Sequence, residues 1–361
     1  MNKRGLLLVV NPGSTSTKIA VFQDLKCISS ENLSHPVEEI KKYNTIYSQK
    51  DMREAVIIKW LKKQGFNVQD LCAVVGRGGL LRSMPGGTYK ITDKMLQDLK
   101  AGYQGQHASN LGGVIAYDIG LRANIPSFIV DPVAVDELKE EARISGMPEI
   151  KRRSLVHALN IKAVTRKVCK KLDKDFYNSS FIVAHMGGGI SVSPIYNSKI
   201  LDVNNANEEG PFSPDRTGGL PVRDLVKMAY SQKYNYKELK EKLVGSGGLI
   251  AYLGTNDGKT VDKMIEDNDN RAELVFQAMA YQISKEIGAM ATVLKGKVDA
   301  IILTGGFAFN KRFVKWIEEK VGFIANVELV PGEDEMLALA EGALRVLNSE
   351  EKAKIYEEEV F

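Results

Sequence analysis

Asn11, Ser14, Ser16 and Lys18 crowd into one short stretch, Asn11-Pro-Gly-Ser-Thr-Ser-Thr-Lys18. Hydroxyls and backbone N–H groups gathered in a tight turn form a concavity for phosphate, and an Asn beside it can help hold a hydrated Mg²⁺. Ser and Thr in turns also bond their own backbone, so one such turn alone reads as local capping too. A second stretch, His185-Met-Gly-Gly-Gly-Ile-Ser191, shifts the balance. Its glycines let a ligand approach the backbone closely, and His185 offers a donor for a phosphoryl oxygen, although a His after an apolar strand is often an ordinary core residue. Arg77 lies between Gly76 and Gly78, and Arg216 lies in Pro214-Asp-Arg-Thr-Gly-Gly219. Each guanidinium fork matches a carboxylate or a phosphate, and for each a structural salt bridge is the alternative. Asp131 and Asp215 read as caps or as partners of these arginines. His35, His107 and His157 have no glycine-rich context and read as structural. Gly254-Thr-Asn-Asp-Gly-Lys-Thr260 is one residue short of a Walker A loop and reads as a loop before a helix, because wrapping phosphates depends on that spacing.

Regular elements must hold these groups in place. Apolar runs 6–10 and 19–22 flank the first turn and predict a β-hairpin. Residues 181–195 repeat the pattern: apolar strand, glycine turn, β-rich strand. Two phosphate-type hairpins, one in each half, predict a duplicated fold with a nucleotide between the copies. Further apolar runs end in polar groups: Val75 before Gly76-Arg77, Val130 before Asp131, Ala184 before His185, and Leu303 before Thr304-Gly305-Gly306. Ligands of open α/β sheets bind just beyond the carboxyl ends of strands. Helical periodicity marks residues 41–63 and 109–121, a helix capped by Ser154 and running to Lys171, and helices up to about Leu294. Leu337, Ala340, Leu344 and Leu347 mark a last amphipathic helix, followed by an acidic tail that reads as frayed. The polar stretch 199–219 is too long for an idle connector.

The 361 residues leave room for two domains, and 44% hydrophobic with 26% charged residues is ordinary for a globular chain. A net charge of +4, with no basic stripe interleaved with aromatics, argues against nucleic acid. Cys27, Cys72 and Cys169 are widely spaced, which argues against a disulfide framework or a zinc site and fits a reducing cytoplasm. The start, Met1 to Val10, mimics a signal peptide weakly, but its apolar core is too short and Asn-Pro-Gly follows. No run approaches a membrane span.

Together these residues resemble the acetokinase family of acetate and butyrate kinases. Asn11-Pro-Gly-Ser-Thr-Ser-Thr-Lys18 matches the family pattern N-x-G-S-[ST]-S-x-K, and His185-Met-Gly-Gly-Gly-Ile-Ser191 matches H-x-G-x-G-x-S. The likeness runs from Leu6 to about Leu347. The Pro of the first motif and a length near 360 are similar to the butyrate-using branch. The resemblance implies a duplicated actin-like α/β ATPase fold with a central cleft, divided at 1–172 with 334–361 and at 173–333. It implies reversible phosphoryl transfer between ATP and a short-chain carboxylate, giving ADP and an acyl phosphate, with Mg²⁺, by a cytoplasmic homodimer or larger homo-oligomer. Asn11 and Glu335 would lie near the metal, with Glu333 and Asp334 as neighbouring alternatives. Ser14, Ser16, Lys18 and Gly187, Gly188 and Gly189 would meet the phosphates, while Gly305 and Gly306 would face the adenosine. Arg77 and Arg216 would hold the carboxylate and the transferring phosphoryl group, His185 would bond that group, and Asp131 would position metal or nucleophile. Two departures stand out. The register puts Ile161 where acetate kinases carry a further active-site His, and the family's Gly-Asn-Gly turn is Gly187-Gly188-Gly189. The other substrates to weigh are acetate, propionate and isobutyrate, and the alternative from another class is an actin- or Hsp70-like nucleotide switch.

Chain-length preference points to Gly79. Acetate kinases place a branched apolar residue two positions after the pocket arginine. Its absence would leave room for a longer acyl group lined by Leu80 or Leu81. On this reading Gly79→Val shifts the butyrate-to-acetate ratio toward acetate.

Overall fold

The computed structural model describes residues 5–360. Residues 1–4, the lead of the signal-like start, and residue 361 of the expected first domain lie outside the described residues. The chain divides into two compact units: the part up to Asp136 together with the part from Asp334 onward, and Glu137–Glu333.

In the first unit, β1 (Leu6–Pro12), β2 (Ser16–Gln23) and β3 (Lys26–Ser34) form an antiparallel meander. β4 (Leu71–Arg77) runs parallel to β1, and β5 (Thr88–Lys90) and β6 (Ser127–Val130) extend the sheet on that side. Leu7, Leu8, Val9 and Val10 are all buried. A continuous apolar run is what a strand covered on both faces needs. The helix Asn110–Ala123 packs on β4, and the helix Glu335–Leu347 packs on β1, β4 and β6.

In the second unit, β7 (Ser180–Met186), β8 (Ile190–Tyr196) and β9 (Lys199–Ile200) form the meander. β10 (Ala300–Gly305) runs parallel to β7, and β11 (Val327–Pro331) runs parallel to β10. The order β6-β4-β1-β2-β3 therefore recurs as β11-β10-β7-β8-β9 with the same strand directions. A short β12 (Lys354–Ile355) completes the first sheet beside β5. In the helix Asn270–Val293, Phe276, Met279, Ile283 and Ile287 recur at helical spacing and are fully buried. The ring of Phe276 stacks on Phe313 at 4.6 Å.

Three boundaries differ from the sequence reading. The expected division at 172/173 comes too late, because the helix Ala158–Lys171 packs on β7 and β10 and so belongs to the second unit. That helix starts at Ala158, with no side-chain cap, rather than after Ser154. Arg152 is drawn away from it to Asp202 (3.0 Å) and Glu209 (3.0 Å), which keeps the approach irregular. The helix expected from 41 begins at Lys50, because Thr45 and Ser48 accept each other's backbone N–H groups and form a turn instead.

The acidic tail is not frayed. Tyr356 is fully buried; its hydroxyl donates to Asp98 Oδ2 (3.0 Å) and accepts from the Arg82 backbone N–H (3.2 Å). Burial, chiefly, pushes this phenol above its ordinary value, so it stays protonated as a donor. Among the described residues no helix is long and apolar enough to cross a membrane. Replacing Tyr356 with Phe removes the acceptor of the Arg82 backbone N–H and one of the donors to Asp98, which keeps Arg82 Nε and Lys94. It should cost about 1–3 kcal/mol of stability, read as a lower urea midpoint with an unchanged slope.

Candidate active site

The carboxyl ends of β1, β4 and β6 lie side by side: Val10 is level with Gly76, and Arg77 with Val130. Parallel pairing thus brings Asn11, Arg77 and Asp131 to one edge of the sheet, although they are far apart in sequence. Glu335 joins them as the first residue of its helix. Its Oε2 accepts from Asn11 Nδ2 at 2.7 Å, and its Oε1 lies 2.8 Å from Arg77 Nη1. The Arg77 contact is a charge pair rather than an aligned hydrogen bond, so Nη1 is buried with no hydrogen-bond partner among the described residues. Lys18 is exposed and faces Asn11 in the β1–β2 register. The Asp131 carboxylate accepts from the Gly87 N–H at 2.7 Å, and its backbone is left-handed (φ 38°).

The three adjacent acidic residues before this helix have three different tasks. Glu335 meets Asn11 and Arg77. Asp334 caps the helix by accepting from Leu337 N at 3.0 Å. Glu333 ends the second unit, with Oε2 3.7 Å from His185 Nε2.

Sequence reading missed what holds the first hairpin. Arg53, on the helix Lys50–Lys63, is completely buried. Its Nη1 donates to the carbonyls of Gly13 (2.9 Å) and Ser16 (2.9 Å) and to Thr17 Oγ1 (3.1 Å). Nη2 donates to the Ser14 carbonyl (3.0 Å). Ser14 and Ser16, expected at the phosphates, thus have their carbonyls turned inward onto this guanidinium. His35 sits beneath, its Nε2 2.8 Å from Thr17 Oγ1; burial, then the charge of Arg53, hold its imidazole below the ordinary value. An arginine in an amphipathic helix reads as a solvent-facing charge, so only the fold reveals it.

In the second unit, His185 lies one residue before the end of β7 and is level with Thr304 of β10. Gly187 to Gly189 make the turn into β8, with Gly187 N–H donating to the Gly189 carbonyl (3.1 Å) and Ser213 Oγ to the Gly188 carbonyl (2.7 Å). A Cβ on Gly189 would lie 2.4 Å from Arg216 Nη1, so the missing side chain is what admits the guanidinium. Arg216 Nε lies 3.5 Å from Asp215 Oδ1, and among the described residues neither atom has a hydrogen-bond partner. Gly305 (φ 86°) packs against the Met186 backbone, while Gly306 has open space where a Cβ would stand.

One expectation needs correction, and the histidines read as structural find their partners. His157, read as structural, stacks face to face on His185 with centroids 4.0 Å apart, and its Nδ1 is 2.9 Å from Ser191 Oγ. The contact joins a helix cap position to a strand end, which no local pattern encodes. His35 and His107 do have structural partners. His107 Nδ1 is 2.8 Å from Ser109 Oγ, and burial, then the charge of Arg77, keep it below its ordinary value. The correction concerns Gly79. A Cβ there would stand 2.2 Å from Asn110 Oδ1 and 2.6 Å from Asn110 Cα. The glycine makes room for Asn110, whose Oδ1 accepts from Leu80 N (2.9 Å), and not for an acyl chain. Leu81 is fully buried in the core, which leaves half-buried Leu80 as the candidate lining residue.

A model of the acetokinase family matches residues 148–348. Butyrate kinase 2 of Clostridium acetobutylicum is 53% identical over 351 residues, covering 97% of this chain and 99% of its own. Probable butyrate kinase 2 of Caldanaerobacter subterraneus is 53% identical over 350 residues, with the same coverage. Among solved structures, acetate kinase from Porphyromonas gingivalis has a TM-score of 0.79 at 19% identity, covering 95% of this chain and all of that one. Acetate kinase from Entamoeba histolytica has a TM-score of 0.75 at 17% identity, covering 94% and 99%. At these identities the likeness is one of fold, two mixed α/β sheets in the duplicated actin-like arrangement.

Gly79→Val should therefore act on stability, not on selectivity. Overpacking against the Asn110 backbone should cost about 1–3 kcal/mol or more, seen as a lowered melting temperature. The butyrate-to-acetate ratio of the remaining folded protein should not change.

Proposed function

The chain belongs to the acetokinase family, and on that footing we propose that it transfers a phosphoryl group reversibly between ATP and butyrate, giving ADP and butyryl phosphate. One observation carries the mechanism. Arg77 and Arg216 are half-buried, each beside a carboxylate (Glu335 at 2.8 Å, Asp215 at 3.5 Å), and each keeps a guanidinium nitrogen with no aligned hydrogen bond among the described residues. A guanidinium fork with an unused donor can still take an oxyanion. A carboxylate and a phosphoryl group are the two anions of this reaction.

Butyrate is already ionised at neutral pH, so no general base is needed. The work reduces to positioning and to stabilising charge on the phosphoryl oxygens. We assign the acyl carboxylate to Arg77 and the phosphoryl oxygens to Arg216 and the His185 imidazole. Gly187 to Gly189 and the turn 13–17 take the phosphates, and Gly305 and Gly306 the adenosine. Mg²⁺ fits the residues present. It is typically held by one or two carboxylates plus substrate phosphates and water, and Glu335 with the Asn11 amide oxygen is such a set. When bound, the metal supplies neutralisation of phosphate charge. Asp131 is read as positioning the nucleophile or the metal. A cytoplasmic location is carried over from the family resemblance. Self-association is carried over from the family resemblance.

Removing one such preorganised donor typically costs ~2.7–4 kcal/mol, or about 10²–10³ in kcat. Arg77→Ala and Arg216→Ala should each fall that far with circular dichroism unchanged; near-wild-type turnover in either removes that arginine from the reaction. For the substrate, ADP release with Mg-ATP is measured against acetate, propionate, butyrate, isobutyrate, valerate and glycerol, with hydroxylamine trapping acyl phosphate. A maximum at butyrate with trapped hydroxamate is expected. A maximum at acetate, propionate or isobutyrate would move the acyl assignment. ATP turnover indifferent to every carboxylate would favour a nucleotide switch.

A further inference from the structure

Behind His185 lies a chain of buried polar groups that ends in a carbonyl. Asn160, Thr304 and His185 are all nearly or fully inaccessible to solvent. Thr304 Oγ1 is 3.0 Å from the Gly332 carbonyl, and Asn160 Nδ2 is 3.4 Å from Thr304 Oγ1 and 2.6 Å from His185 Nδ1.

The direction of every bond follows from the far end. A carbonyl oxygen can only accept, so the single Thr304 hydroxyl proton is directed to Gly332. Toward Asn160, Thr304 then presents lone pairs alone. The amide group facing it must be the NH₂; a flipped amide would set two acceptors against each other. The second hydrogen of that NH₂ points at His185 Nδ1, the shortest contact of the chain. Nδ1 is therefore an acceptor and carries no proton. In the neutral ring the proton sits on Nε2, the nitrogen on the side of Glu333.

We propose that Asn160 is a positioning residue that fixes His185 as the Nε2–H tautomer. This makes its Nε2 a hydrogen-bond donor in the neutral ring. The stacked ring of His157, anchored on Ser191 Oγ, holds the plane in which that N–H lies. The inference rests on the assignment of His185 to the phosphoryl oxygens, since a nitrogen held as a donor is what an anionic ligand requires. The sequence hides the chain: Asn160, His185, Thr304 and Gly332 belong to four separate segments.

The test is ¹⁵N NMR of histidine-labelled protein, tractable because the chain has four histidines, with His185 assigned by comparison of single-histidine variants. Wild type should show a protonated Nε2 and an unprotonated Nδ1 for His185. In Asn160→Asp, an acceptor of nearly the same shape, the proton should appear on Nδ1. The kcat should drop roughly 10–100-fold, as for other partners that orient a functional histidine, with KM for butyrate and Mg-ATP little changed. A proton on Nδ1 in wild type overturns the proposal, and that spectrum decides even if the variant fails to fold. So does an Asn160→Asp protein with unaltered tautomer and full turnover. The predicted tautomer combined with full activity of His185→Gln would support the chain of bonds and instead remove His185 from phosphoryl transfer.

Discussion

A fully buried guanidinium must be satisfied from all sides, and Arg53 is satisfied by the backbone of the first hairpin. Leaving it unpaired would carry the high cost of an uncompensated interior charge. Meeting that demand fixes the turn. Three carbonyls converge on one side chain, and the strands on either side inherit a register in which Asn11 faces Lys18. Asn11 in turn meets Glu335, and Glu335 meets Arg77. The polar edge of the first sheet is thus a sequence of dependencies that starts at a residue with no chemistry of its own to perform.

The second sheet repeats the strand order but supports its hairpin differently. There the turn is glycine, held by Ser213 and leaned on by Arg216, and the residue at the strand end is a histidine rather than an asparagine. Duplication preserved the backbone solution, the placing of strand ends along one edge. The side chains diverged, so that one copy presents a carboxylate-linked amide and arginine and the other a histidine at a strand end and an arginine against its glycine turn.

Much of this was legible beforehand. Both hairpins, the strand ends carrying Arg77, Asp131, His185 and Thr304, and the last helix follow from apolar runs broken by glycine and polar residues, because those patterns are local. What escaped was set by contacts between distant segments. The helix Ala158–Lys171 follows the first sheet in sequence but packs on the second, which moved the boundary between units. Gly79 looked like a deleted side chain in a pocket, and only the position of Asn110 shows that backbone packing requires the glycine. His157 was read as structural, but which strand end its ring supports shows only in the fold. The acidic tail looked loose because its charges are plain in the sequence, while the niche that Tyr356 fills is not.

The run Glu333-Asp334-Glu335 has a consequence for tolerance to change. Three neighbouring acidic residues of nearly the same chemistry serve three masters: a histidine of one unit, a helix end, and an asparagine–arginine couple of the other. Swapping their identities alters little in charge, yet adding or deleting one residue re-addresses all of them at once. This is a place where length, more than composition, carries the information, and natural or engineered insertions should be purged from it while conservative acidic exchanges persist.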